Sequence, residues 1–122
     1  MRNENLCETA FAVGVMTPRQ FRFDSTESFT ELKLLLDTAG ARLVDEEFVE
    51  LRQLHPATLL GQGRVEQNAQ KIKMTNPSVV VVDAELSPSQ NKNLEEAWGA
   101  RVLDRTGLIL DIFAQRATSK EG

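Results

Sequence analysis

Two hydrophobic periods alternate along the 122-residue chain: short continuous apolar runs of strand length and longer stretches with helical spacing. The first run, Phe11-Ala-Val-Gly-Val-Met16, stops at Thr17-Pro18 and predicts a strand buried on both faces. Asp24, Ser25 and Thr26 then offer N-cap oxygens to a helix in which Phe29, Leu32, Leu35, Leu36 and Ala39 recur on one face, until Gly40 ends it as a C-cap glycine. From Ala41 to Leu51 the chain reads as extended, but Asp45, Glu46, Glu47 and Glu50 break the apolar pattern, which predicts an exposed end or a sheet edge.

A connector, His55-Pro-Ala-Thr-Leu-Leu60, leads to Gly61-Gln-Gly63-Arg64 and a helix with Val65, Ala69 and Ile72 on one stripe, stopped by Asn76-Pro77. Ser78 to Asp83 holds four consecutive valines, the pattern of a central parallel strand covered on both faces. Ser87-Pro88-Ser89-Gln90 is a helix start with Ser87 as N-cap, Pro88 at the first helical position and Gln90 placed to complete a capping box. Leu94, Ala97 and Trp98 follow on the inner face, Gly99 ends the helix, Arg101 to Leu103 form a short strand, and Thr106 can cap a last helix. The order β-α-β-α-β-α-β-α predicts an α/β fold, a mostly parallel four-stranded sheet with helices on both faces and right-handed crossovers. Ligand surfaces of such sheets lie at the carboxyl ends of the strands, here near Thr17, Asp83 and Asp104.

Length and composition, with 41% hydrophobic and 26% charged residues, suit one ordinary hydrophobic core. A lone Cys7 and a lone His55 leave no internal disulfide and too few soft ligands for structural zinc, which points to a reducing, cytoplasmic setting. The longest apolar run, Val79 to Val82, is far too short to cross a bilayer, and no secretory apolar region follows Met1. Charge changes the picture more. Residues 1–50 carry five bases and ten acids, residues 51–122 nine and eight, for a net charge of −4. A net-acidic chain is a poor non-specific binder of phosphate backbones, so any RNA contact must be local.

Several groups are candidates for chemistry. Gly61, Gly63 and Arg64 open a helix and offer backbone N–H groups and a guanidinium to a phosphate or RNA, or else simply make a tight turn. Glu66 stands where a dinucleotide fingerprint needs its third glycine, and no G-x-x-x-x-G-K-S/T occurs, so no cofactor is indicated in this chain by motif. Asp83 lacks the acid pair and lysine of a phosphoacceptor site, and reads instead as a residue ordering the turn toward Ser87. Arg105, within Asp104-Arg-Thr-Gly107, either grips a phosphate or an acidic partner or is paired internally with Asp104 or Asp111. No catalytic triad, Cys/His pair or metal-ligand spacing is present. Leu108, Ile109, Leu110, Ile112 and Phe113 ring most of the last helix, more than one buried face requires, so part of that surface is expected to pack on a neighbouring domain and to self-associate weakly when bare.

The segment Asp104-Arg-Thr-Gly-Leu-Ile-Leu-Asp-Ile-Phe-Ala-Gln-Arg-Ala117, with Glu121-Gly122 after it, resembles the N-terminal region of the HflX family of ribosome-associated GTPases. The likeness extends back through Asp83-x-Glu85-Leu86-Ser87-Pro88-x-Gln90-x-x-Asn93-Leu94, Gly61-x-Gly63 and Thr38-Ala-Gly-Ala41, with Arg64 where the family usually has lysine. The resemblance implies an N-terminal α/β subdomain over residues 1–107, a helix from 108 to 122 leading toward a helical hairpin, and a GTPase domain that binds GTP and Mg²⁺ and is absent from this chain. It further implies association with the large ribosomal subunit in ribosome splitting or rescue, with ATP binding and RNA remodelling ascribed to the N-terminal part. A scaffold that only orients the GTPase domain is the third expectation.

Overall fold

The computed structural model describes residues 8–121, with side chains to residue 114; Cys7 and Gly122 lie outside the described residues. Eight elements alternate along the chain: β1 (Thr9–Met16), α1 (Arg22–Thr38), β2 (Arg42–Glu50), α2 (Gln62–Thr75), β3 (Val79–Asp83), α3 (Pro88–Trp98), β4 (Arg101–Asp104) and α4 (Arg105–Glu121). The strands form one sheet in the order β2-β1-β3-β4, and every neighbouring pair is parallel. The α/β class and element order are therefore those expected from the pattern.

Side-chain alternation along the inner strands divides the core in two. Phe11, Val13, Val15, Val80, Val82 and Val102 point to the face covered by α2 and α3, where they meet Val65, Ile72, Leu94 and Trp98. Ala10, Ala12, Val79 and Val81 point to the other face, under Phe29, Leu32 and Leu36 of α1 and Leu108 of α4. Every residue of β3 is buried, as a strand with helices on both sides must be. On the α1 side, Ala10, Ala12 and Gly14 keep β1 low, so Phe29 sits directly over Gly14 and meets Phe48 of β2 at 5.9 Å between ring centroids.

β2 is an edge strand, and its acids are shared between the two faces. An extra residue, Val44, opposite the Ala10–Phe11 step sets the phase. Glu46 reaches Lys33 of α1 at 3.2 Å, Glu47 reaches Lys71 of α2 at 2.6 Å, and Glu50 pairs with Arg22 of α1. Hydrogen bonding to Glu47 raises the Lys71 pKa above its ordinary value. That contribution to stability is complete at neutral pH and disappears only as alkaline pH passes the raised value.

Four helix ends follow the chemistry of their own cap residues, and two depend on the turn or connector before the helix. Gly40, Asn76 and Gly99 take left-handed conformations at or beside helix C-termini, and Ser87 caps α3 with a complete capping box. α1, however, begins at Arg22, with Phe21 as a cap residue that makes no side-chain bond, so Asp24, Ser25 and Thr26 lie inside the helix instead of before it. The turn Thr17–Gln20 supplies the order there: Gln20 Oε1 accepts from the Thr17 N–H at 2.8 Å and from the Ser25 hydroxyl at 3.4 Å. The connector before α2 is tied to α3, because the Gln90 amide donates to the His55 carbonyl at 3.0 Å and that of Asn93 to the Ala57 carbonyl at 2.9 Å. The indole N–H of Trp98 donates to the Val65 carbonyl at 3.0 Å, joining α3 to α2.

Two positions test this packing. A Cβ on Gly14 would lie 2.6 Å from Phe29 Cγ and 2.7 Å from Phe48 Cδ1. Gly14→Ala is therefore expected to destabilise by about 1–3 kcal/mol, read from urea unfolding followed by circular dichroism. Asn68, buried at 1% exposure between Val65 and Ile72, has neither amide atom hydrogen-bonded among the described residues. Asn68→Leu should raise stability by about 1 kcal/mol in the same experiment, and a loss of stability would show that the amide has a partner.

Candidate functional site

All four strands run the same way, so all four helix N-termini lie at the carboxyl end of the sheet. From β1 the chain moves to β2 on one side, and from β3 to β4 on the other, which makes the crevice between β1 and β3 the topological switch point. Gly14 of β1 is register partner to Asp83, the last residue of β3. The Asp83 carboxylate is 4% exposed and accepts from Arg105 Nη1 at 3.1 Å. The same nitrogen donates to the Ser28 carbonyl at 3.1 Å and the Ser28 hydroxyl at 3.0 Å, while Nη2 reaches Glu31 at 3.0 Å. One guanidinium at the first residue of α4 thus fastens α1 to β3 across the crevice.

Asp104 holds the adjacent turn. Its Oδ1 accepts from the Gly107 N–H at 2.7 Å and its Oδ2 from the Leu86 N–H at 3.1 Å. It therefore caps α4 and anchors the β3–α3 loop with one carboxylate. This corrects the expectation that Thr106 is the cap: α4 follows β4 without a break, and Thr106 lies in its first turn, exposed. It also corrects the place of Asp83, whose carboxylate turns to Arg105 and not toward Ser87. Neither internal pair expected for Arg105 is the one formed. Asp111 pairs with Arg101 at 3.1 Å, because six residues at 3.6 per turn set it about 120° round the helix from Arg105.

The turn at Gly61, Gly63 and Arg64 does not form a phosphate cradle. Gly61 packs against the His55 ring, with its Cβ position 3.3 Å from Nε2, whereas the Cβ position of Gly63 has nothing within 4 Å. Arg64 is half-exposed and leans to Glu47 at 3.8 Å, and Gln62 donates to Glu66 at 3.1 Å. Arg64 and Gln62 each already have a carboxylate partner, and the geometry gives ATP no support.

The apolar residues of the last helix separate into two groups. Leu108 belongs to the domain's own core, with Ile112 packed against the same cluster. The expectation that Leu108 faces another domain is corrected accordingly, and the boundary expected at 107/108 falls inside α4. Ile109 is half-buried, and Leu110 and Phe113 remain 62% and 65% exposed. Sequence reasoning missed Ser28 and Glu31, which have no local mark as partners of Arg105, and it missed Phe21 and Phe23, exposed beside Arg19 and Arg22. The alternation of ring and guanidinium in that stretch was the available signal. Among the described residues no group of three or more His, Cys, Asp or Glu side chains could hold a metal ion, and no helix is long and apolar enough to cross a membrane.

The fold is thus a doubly wound α/β domain whose carboxyl-end crevice is locked by an Arg–Asp pair. The sequence model of the family described as GTP-binding GTPase N-terminal matches residues 26–114, and the chain belongs to that family. It is 44% identical to GTPase HflX of Lacrimispora saccharolytica over 99 residues, which is 81% of this chain and 23% of that protein. It is 43% identical to GTPase HflX of Escherichia coli over 96 residues, 79% of this chain and 22% of that protein. The resemblance read from the motifs is thereby borne out, and the chain spans about a quarter of the length of these relatives. Among solved structures, the G235P variant of SsGBP aligns over 88% of this chain and 32% of its own, at a TM-score of 0.64 and 18% identity, a likeness of fold.

The clamp can be tested directly. Arg105→Met leaves the Asp83 carboxylate buried without its partner and should cost about 2–4 kcal/mol in urea unfolding. Combining it with Asp83→Leu should recover much of that loss; no recovery would mean that the Ser28 and Glu31 contacts carry the effect.

Proposed function

We propose that this chain is the N-terminal, non-catalytic domain of a cytoplasmic HflX-type GTPase and contributes contact with the large ribosomal subunit during splitting or rescue of ribosomes. The family match over residues 26–114 is the observation that carries the reading. GTP and Mg²⁺ then belong to the three-quarters of the relatives outside this chain, in keeping with the absence of any G-x-x-x-x-G-K-S/T motif here.

In this reading the two ends of the domain have different partners. The carboxyl end of the sheet, with Arg64 half-exposed at its rim, faces the ribosome. The exposed side of α4, with Ile109, Leu110 and Phe113, faces the helical-hairpin and GTPase domains, and when bare it supports weak self-association. Arg105 is no surface contact, since its guanidinium is committed to Asp83, Ser28 and Glu31.

Co-sedimentation of the chain with purified large subunits over a salt series tests the proposal. Retention at low salt that falls as salt rises, and that Arg64→Glu weakens, is the expected result. Absence of retention at every salt concentration would leave the domain as a scaffold for the GTPase and overturn the ribosomal role.

A further inference from the structure

Two phenylalanines at the carboxyl end of the sheet contribute little to the core. Phe21 and Phe23 are 77% and 70% exposed, whereas Phe11 and Phe29 are buried. They stand in the stretch Arg19-Gln-Phe-Arg-Phe23, where guanidinium and ring alternate. The stretch follows β1 directly at the switch point, and it is held in place. The Gln20 N–H donates to the Thr17 carbonyl at 3.1 Å, Gln20 Oε1 accepts from the Thr17 N–H at 2.8 Å, and Phe23 already lies in α1.

The neighbouring loop adds to the same rim. Arg22 pairs with Glu50 at the end of β2, and the Leu51 N–H donates to the Met16 carbonyl at 2.9 Å. The exposed Arg52 and Leu54 follow immediately in the chain. Three arginines and two phenylalanines thus lie at one end of a domain whose net charge is −4. An apolar protein partner would have to bury Arg19 and Arg52 without counter-charges. Unpaired nucleotides would not, because they present both flat rings and phosphates.

We propose that Arg19, Phe21, Arg22 and Phe23, with Arg52 beside them, form a binding strip for an unpaired nucleotide segment. Bases stack on the two phenyl rings and phosphates meet the guanidinium groups. The choice of RNA rests on the ribosomal reading above; the strip itself recognises single-stranded nucleic acid of any sequence, since every base has a π-face. Glu50 and Asp24 offset part of the arginine charge, so stacking supplies much of the affinity. The salt dependence is correspondingly shallow, near that of two phosphate contacts, a log–log slope of about −1.4 for a single strand.

Fluorescence anisotropy of a labelled unpaired 12-nucleotide RNA, beside a duplex of equal length, tests the strip on the 122-residue chain. The single strand should bind more tightly than the duplex, and Phe21→Ala/Phe23→Ala should weaken it at least about tenfold. Circular dichroism on the same variant checks that the fold is kept, as the exposure of both rings leads one to expect. Equal binding of duplex and single strand, an unaffected double variant, or no binding of the RNA overturns the strip. Co-sedimentation of parent and variant with large subunits separates this from the ribosomal reading. If the chain sediments with subunits but does not bind the oligonucleotide, the strip is wrong and the ribosomal role stands. If the oligonucleotide binds through the phenylalanines but subunits do not, the strip stands and the ribosomal role fails. If the variant loses the subunits while neither form binds the oligonucleotide, the rings meet a ribosomal protein and the nucleotide proposal is overturned.

Discussion

A strand with no polar side has to be covered twice, and β3 is such a strand. Val79 to Val82 are exposed by 3% or less, so a helical layer is required above and below. Two layers over one sheet require the chain to return along a helix after every strand, which makes the strands parallel and sends all of them out at one end. Asp83 is the first polar residue that β3 reaches, and it is still buried when it gets there. A buried carboxylate without a partner is costly, and Arg105 supplies one from the start of α4. Because that guanidinium also takes Ser28 and Glu31, the solvation of a single strand end fixes how α1 and α4 sit against each other.

How far the sequence was legible depends on the distance over which each feature is determined. The valines of β3, the capping box at Ser87 and the glycines closing α1 and α3 are local, and each could be read from a few adjacent residues. The start of α1 could not, since three good capping residues lost to a turn organised by Gln20. The partners of Arg105 lie 22, 74 and 77 residues away, and a forked donor announces that it needs partners without saying which. Periodicity likewise showed that the last helix has more apolar surface than one face uses, but it could not tell Leu108, which the domain keeps for itself, from Phe113, which it leaves exposed.

The acidity of the domain is less uniform in space than in sequence. Glu46, Glu47 and Glu50 on β2 are all answered by bases of α1 and α2, so the edge strand is screened by its own neighbours. What remains at the carboxyl end is a rim with arginines beside exposed rings.

The indole of Trp98 has one more consequence. The chain contains one tryptophan and no tyrosine, and that tryptophan is 6% exposed with its N–H on the Val65 carbonyl. Light absorbed at the red edge of the protein spectrum is therefore emitted from a single place, the seam between α2 and α3. The domain has a built-in optical reporter that follows this seam alone, at the face of the sheet remote from α1 and α4, and loosening of those two helices by itself would pass without a change of colour.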